Sequence, residues 1–539
     1  MERGVDRRAF IGGAAGLAAG VLISGPGAIA SRSGPAGRRP HPLSDVRFSQ
    51  GVASGQPGER AMTLWTRVDG AGRRGTIRLE VSRDSDFRRL VSSRRVVVDG
   101  ADNHTAQVRV KGLNPGERYF YRFEAADHAT RVGRFTTLPG DSRQPVRIGF
   151  FSCQAWEAGY YVGHRGLARE DDLDLLVCLG DYVYERPFYE DDGVRRDRTG
   201  ENNDGEVQTL PEYRAKYALY HSDANLRQLR ARAPMMAIWD DHEVEDNYAH
   251  MRPGEATLDR RIKFEKRRRN GYKAFYEHMP FGPAEGERFR LYRSIKLGRT
   301  AELFMLDERK YRSDQACDEQ IPCPPQERNA EGRTLLGAEQ LGWVKRGLNR
   351  SRARWKIVAN QVMAMALDAP ANNPINMDQW DGYGADREEL FRFVKAKRIK
   401  YVSLLTGDIH TFFAGDVTPT GRLAGEGGAE DPVATEFVGG SMTSRGIVDT
   451  IEATTGSPPA PSIQAGLADS AVVRSNNPHI KYAELSRNGY GLLVARDDQL
   501  DVRYRSPESV ERRRSPIETI ARFRVEAGTP QVEVLEPGP

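Results

Sequence analysis

Five short apolar runs in this sequence end on residues that donate to metal ions. The run 146–152 leads into Cys153-Gln154, and the run 173–179 into Gly180-Asp181-Tyr182-Val183-Tyr184-Glu185. After 235–239 come Asp240-Asp241-His242-Glu243, with Asn247 a few residues on. The run 355–359 leads into Asn360-Gln361, and 401–405 into Thr406-Gly407-Asp408-Ile409-His410. Carboxylates and amide oxygens suit hard cations such as calcium or magnesium. Thiolate, phenolate and imidazole suit a transition ion such as iron. Asp181 and Tyr184 share one short loop, so both can reach one ion. Asp408 and His410 stand two apart in a tip read as extended, where alternate side chains face the same way, so they too are expected to converge. A single Gly-Asp after a strand is explained equally well by a turn and a helix cap. Five such tips in succession are not.

Strands must deliver these tips to one edge, because ligand sites in α/β folds gather where strands end. From about residue 145 the pattern supports this. Further apolar runs at 302–306 and 435–438 alternate with helical patterns such as 337–348 and 387–397. That alternation predicts a layered α/β catalytic domain over 145–505. Before it, residues 46–140 show period-two alternation, as in 61–66, 76–81 and 105–110, broken by turns such as Asn114-Pro115-Gly116. This predicts an all-β sandwich. Its segment Leu113-Asn114-Pro115-Gly116-Glu117-Arg118-Tyr119-Phe120-Tyr121 resembles the tyrosine-bearing segment of fibronectin type III-like domains, so Tyr119 and Tyr121 read as core. Residues 31–45 read as a linker. The charged extension 506–539 reads as a peripheral strand or helix, or as disorder.

The first 30 residues carry Arg7-Arg8, a weakly apolar stretch over 11–23 and an Ala28-Ile29-Ala30 cleavage site, in the order of a twin-arginine export signal. No segment reads as a membrane span. The expected location is therefore secreted or periplasmic, with the twin-arginine translocase as a partner during export. With 539 residues the chain is too long for one compact core. Its 80 basic and 75 acidic residues nearly balance, which argues against a dedicated nucleic-acid partner. The densest basic run, 263–269, reads as the solvated face of a helix. Cys178 reads as buried filler. Cys317 and Cys323 can close a small disulfide loop in an oxidising compartment.

The chain resembles the PhoD branch of the calcineurin-like metallophosphatases. The resemblance is carried by Gly51-Val52-Ala53-Ser54-Gly55, Leu64-Trp65-Thr66-Arg67-Val68, Ser152-Cys153-Gln154, Gly180-Asp181-Tyr182-Val183-Tyr184-Glu185, Trp239-Asp240-Asp241-His242-Glu243-Val244, Asn376-Met377-Asp378-Gln379-Trp380-Asp381-Gly382-Tyr383 and Glu436-Phe437-Val438-Gly439-Gly440-Ser441-Met442-Thr443-Ser444. It implies a metallophosphatase β-sandwich flanked by helices and a centre holding ferric iron with calcium. It further implies Cys153, Tyr184 and His410 as iron-side ligands, with Asp181 bridging. Asp408, Asn360 and one of Asp240 or Asp241 fall on the calcium side, with Asp241 preferred. His242 would contact the phosphate or assist the leaving group. Arg309 would bind a phosphate oxygen or form a structural salt bridge. Two departures stand out: Gly55-Gln56-Pro57 replaces the family's Gly-Asp-Pro, and Glu308-Arg309 replaces its Thr-Arg.

The function so implied is an exported alkaline phosphatase that hydrolyses small phosphate monoesters by attack of a metal-activated hydroxide or oxo group. The alternatives are a phosphodiesterase or phospholipase-D-like hydrolase on the same scaffold, a nuclease leaning on the 263–269 run, and an exported binding protein without catalysis.

Overall fold

The computed structural model describes residues 40–187, 193–254, 259–282, 289–369, 373–425, 428–446, 473 and 475–536. The export signal and nearly all of the linker lie outside the described residues. From His41 onward the chain forms one compact unit.

Two sheets position the site. The larger, of ten strands among the described residues, runs Glu533–Glu536, Ile517–Glu526, Gln499–Pro507, Tyr490–Ala495, Val146–Phe151, Leu175–Cys178, Met235–Ala237, Val52–Gly58, Ala61–Arg67, Thr105–Lys111. The second runs Arg293–Leu297, Ala301–Met305, Trp355–Asn360, Val402–Thr406, Ala434–Val438, Phe412–Val417, Ile480–Glu484. Val146–Phe151, Leu175–Cys178 and Met235–Ala237 lie parallel in the first. Ala301–Met305, Trp355–Asn360, Val402–Thr406 and Ala434–Val438 lie parallel in the second. A single bridge between Ser152 and Ser441 ties the sheets together at the tips.

The apolar runs are continuous rather than alternating because these parallel strands are covered on both faces. Ile357, Ala359 and Leu405 face the core between the sheets, beside Ile148 and Val177. Their neighbours Val358 and Leu404 face a second core built by the helices Gly337–Arg350 and Gly384–Ala396. Each of the buried Ile, Val and Leu side chains contributes about 1.5–3 kcal/mol relative to exposure.

The β-sandwich ahead of this is not closed on itself. A four-stranded sheet, Leu90–Val98, Gly75–Ser82, Arg118–Glu124, Gly133–Thr136, covers one side. The other side is Val52–Gly58, Ala61–Arg67 and Thr105–Lys111, which continue the ten-stranded sheet. The junction is the pair Gly55 and Met235. A Cβ at Gly55 would lie 2.4 Å from the Met235 carbonyl oxygen, so a glycine is required there. Tyr119 and Tyr121 are buried core, as expected.

One open alternative is decided and one expectation changes. The charged tail supplies two strands, one paired along Gln499–Pro507 and burying Ile520, Phe523 and Val525. Charges at the intervening positions obscured that alternation. The basic run is a helix, Phe264–His278, but not a wholly solvated face. Arg267 is buried and donates to Glu245 Oε2 at 2.9 Å, because it falls on the side of the helix that carries Gly271, Ala274 and His278 inward. Cys178 is buried and free, and Cys317 and Cys323 are joined in a disulfide.

Several buried histidines are held neutral. His278 donates from Nδ1 to the Ala274 carbonyl at 2.7 Å and accepts at Nε2 from Asn103 Nδ2 at 3.2 Å. Burial depresses its pKa to about 3, and His164 likewise to about 3. The unfolded chain binds these protons below about pH 6.5, whereas the native state does not. Their contribution is therefore complete above that pH and is lost as pH falls toward 3. Thermal melts should show Tm falling between pH 6.5 and 4. His278→Phe should lower Tm at neutral pH, through its two lost hydrogen bonds, yet decline less steeply on acidification.

Candidate metal centre

The strand tips converge into three overlapping sets of donors. Ligand atoms of Cys153, Asp181 and His410 lie within 4.8 Å of one another. The same holds for Asp181, Asp241 and His242, and for Asp240, Asp241 and Asp408. Asp181 and Asp241 each belong to two sets, so the three make one continuous chain. Tyr184 joins it: its hydroxyl donates to Asp181 Oδ2 at 3.0 Å, lies 3.0 Å from His410 Nε2 and accepts from Ser444 Oγ at 2.8 Å.

The backbone at the tips is unusual. Cys153, Asp181, Asp408 and His410 have φ of 55°, 52°, 66° and 57°, in the left-handed region that non-glycine residues avoid. Each costs on the order of 1–3 kcal/mol, a burden that persists where surrounding structure over-determines it. Here it corrects the extended reading of the last tip. Asp408 and His410 do not meet at one set: Asp408 joins Asp240 and Asp241, while His410 joins Cys153 and Asp181. Gly180 is needed on two counts: its φ is 115°, and a Cβ there would lie 2.5 Å from Asp240 Cβ.

Second partners fix the donors. His410 Nδ1 donates to the Arg445 carbonyl at 2.8 Å, which assigns the proton to Nδ1 and turns Nε2 toward Tyr184 and Asp181. Burial lowers its pKa to about 4, so the ring is neutral. His242 Nδ1 donates to Glu185 Oε2 at 2.7 Å. Burial works against a charge on His242, but Asp241, Glu185 and Asp181 outweigh it and hold the imidazolium well above the ordinary histidine range. Glu243 accepts from the backbone N–H of Asp181, Tyr182 and Asp240 at 3.2, 2.6 and 2.7 Å, fastening two tips together. Glu185, Glu243, Ser444 and Arg445 received no role from sequence. The first three lie inside the motif segments, which was the available signal.

The carboxylates divide by environment. Burial and the neighbouring acids push Asp181 and Asp240 well above the usual carboxylate range. Asp408 rises to about 7, chiefly by burial. Asp241 goes the other way. Burial would raise it, but Arg309, His242 and the N–H of Asn247 hold it ionised. Asp240 and Asp241 both enter the third set, and Asp241 is the one shared with the second.

Arg309 is fully buried and adopts the ion-pair alternative. It pairs with Asp240, with Asp378 Oδ2 at 2.8 Å, with Asp408 Oδ1 at 3.1 Å and with Asp241 Oδ1 at 3.7 Å. Asn360 is buried, but its amide serves the fold. Its Oδ1 accepts from Trp380 Nε1 at 3.2 Å, and its Nδ2 donates to Thr406 Oγ1 at 3.2 Å and to the Val362 carbonyl. The same indole N–H reaches Glu308 Oε1 at 3.0 Å, so the departure at Glu308 lies one contact away from Asn360.

Two observations test whether a metal fits. Asp181 Oδ1 and Asp240 Oδ2 are buried with no hydrogen-bond partner. An uncompensated buried carboxylate oxygen is costly, and a cation is what compensates it. The donor types agree, since thiol, phenol and imidazole lie at one end and carboxylates at the other. A metal centre fits these residues.

Comparison with known proteins decides the family. Residues 148–504 match the PhoD-like phosphatase family model, and residues 34–139 match the model of the PhoD-like phosphatase N-terminal domain. The chain belongs to the PhoD-like phosphatase family. Alkaline phosphatase D of Bacillus subtilis (strain 168) is 34% identical, over 96% of this chain and 87% of that protein. A solved structure titled "Structure of PhoD" superposes with a TM-score of 0.80 at 31% identity, covering 93% of this chain and 94% of the other. The protein is thus a phosphatase of this family, and its tips carry groups suited to the family's metal dependence. Among the described residues no helix is long and apolar enough to cross a membrane.

Removing one partner from a buried ionic cluster costs about 3–5 kcal/mol, because the remaining charges are left uncompensated. Arg309→Met should therefore lower the Tm of chelator-treated protein by several degrees. Thermal melts with and without chelator check this, and a Tm equal to that of the unaltered protein would count against Arg309 as the principal counter-charge.

Proposed function

We propose that this protein is an exported alkaline phosphatase that hydrolyses small phosphate monoesters at a mixed iron–calcium centre. The observation that carries the reading is the donor chain, in which Asp181 and Asp241 are each shared by two adjacent sets while two buried carboxylate oxygens face no partner. Cys153, Tyr184, His410 and Asp181 would hold the iron. Asp408, Asp241 or Asp240, and Asn360 through its remaining amide lone pair, would hold calcium. Bound there, the ions would supply Lewis acidity, drawing charge from the phosphoryl oxygens and lowering the pKa of water.

The chain's own groups account for the rest. Arg309, held by Asp378, stays within the buried ion-pair cluster and offsets its negative charge. Against the cost of burial, Asp241, Glu185 and Asp181 hold the His242 imidazolium above the ordinary histidine range. With Nδ1 committed to Glu185, it releases its proton from Nε2 to the departing alkoxide. Water enters, the P–O ester bond breaks, and phosphate and alcohol leave. Cys153 is not a nucleophile in this scheme. Burial pushes its thiol well above the ordinary range, which suits a ligand that ionises only against a cation. The Arg7-Arg8 signal supports export, and the Cys317–Cys323 bond fits an oxidising destination.

Phosphate release from p-nitrophenyl phosphate at alkaline pH should be lost with a calcium chelator and return with calcium. Asp181→Asn should lower kcat by about a thousandfold or more with Tm nearly unchanged. Near-normal turnover in that variant would sink the bridging role. A higher kcat/KM on bis-p-nitrophenyl phosphate than on the monoester would replace the monoesterase reading with a diesterase.

A further inference from the structure

The loop 315–323 contributes no member to the donor chain, yet it leads directly to one. Asp241 Oδ2 accepts from the Asn247 N–H at 2.7 Å. Asn247 is held by the loop at two points. Its carbonyl accepts from Gln315 Nε2 at 2.7 Å, and its own Nδ2 donates to Glu319 Oε2 at 2.8 Å. Gln315 is buried, and the same Nε2 donates to Asp378 Oδ1 at 2.7 Å, the carboxylate that aims Arg309. One loop therefore braces both the ligand carboxylate and the guanidinium beside it.

The loop does not hold this shape by backbone preference. Cys317, Asp318 and Glu319 have φ of 55°, 48° and 62°, three successive non-glycine residues in the left-handed region. Residues of this type visit that region singly, not in runs. An open loop of this sequence would relax toward ordinary backbone and carry Glu319 away from Asn247. The Cys317–Cys323 bond, between residues six apart in sequence, closes the segment into a small ring and removes that freedom. Cys323 is buried with Ala316 and Met377, which anchors the ring on the body of the protein.

We infer that Gln315 and Glu319 are positioning residues: displayed by the disulfide-closed loop, they fix Asn247 and, through its N–H, the Asp241 carboxylate for cation binding. This rests on the reading that Asp241 holds a metal ion. Loss of a hydrogen-bonded support behind a metal ligand weakens metal binding by about tenfold or more.

The test is a calorimetric calcium titration of the chelator-stripped full chain, alongside thermal melts and kinetics on p-nitrophenyl phosphate. Glu319→Ala should bind calcium about tenfold more weakly, with a Tm close to that of the unaltered protein. Glu319→Gln keeps an acceptor oxygen for Asn247 and should restore the affinity. The C317S/C323S variant should show a loss like that of Glu319→Ala. Combining all three substitutions should add nothing further, because disulfide and carboxylate act through one path. Unchanged calcium affinity in Glu319→Ala, no restoration by Glu319→Gln, or additive losses would overturn the inference. Asp241→Asn separates the two levels. Weak calcium binding in Asp241→Asn with normal binding in Glu319→Ala refutes the loop's role alone. Normal binding in Asp241→Asn refutes the metal reading and the inference with it.

Discussion

Crowding buried carboxylates is the constraint on which this structure turns. Asp181, Asp240, Asp241 and Asp378 are all buried, and Asp408 is nearly so. Negative charge packed this way in a low-dielectric interior is untenable without compensation. The protein supplies it from its own chain with Arg309, Arg312 and a charged His242. Residual demand remains at Asp181 Oδ1 and Asp240 Oδ2. That imbalance is the electrostatic basis of a cation site, and the surrounding layers act to maintain it.

Maintaining it requires rigid tips. The parallel strands bury both faces, so their ends cannot drift, and three of the tips turn through left-handed residues, at Cys153, at Asp181 and at Asp408 with His410. Carboxylate clamps finish the work. Glu243 binds the backbone of two tips, and Glu308 accepts from the N–H groups of Gln361 and Val362 just beyond a third. These clamps explain why acids outside the donor chain recur in the same motifs as the donors.

Much of this was legible in the sequence, because continuous apolar runs ending in polar residues are an unmistakable pattern. The core strands Val146–Phe151, Trp355–Asn360 and Val402–Thr406 fall within a residue of their expected positions. The donor residues were named from the same pattern and the family resemblance. What stayed hidden was whatever depends on dihedral angles or distant partners. The left-handed backbone at Asp408 and His410 sends two neighbours to different sets, and no period-two argument reveals that. Arg267 was lost in a run of like charges because helix phase alone decides which arginine turns inward. The tail strand Ile517–Glu526 was obscured because its outward residues are charged. Asn247 was visible near a tip, but its link to Gln315 and Glu319 spans more than sixty residues.

The junction at Gly55 and Met235 has a consequence for how the chain is divided. Because Val52–Gly58 continues the sheet beyond Met235–Ala237, the N-terminal strands serve as the cover of what would otherwise be a bare β-edge. Bare edges of regular, apolar strands recruit other chains and aggregate. The segment 46–140 is therefore less an accessory module than the protective flank of the catalytic sheet. A truncated enzyme starting near residue 145 would retain every donor residue and yet uncover the edge at Met235–Ala237.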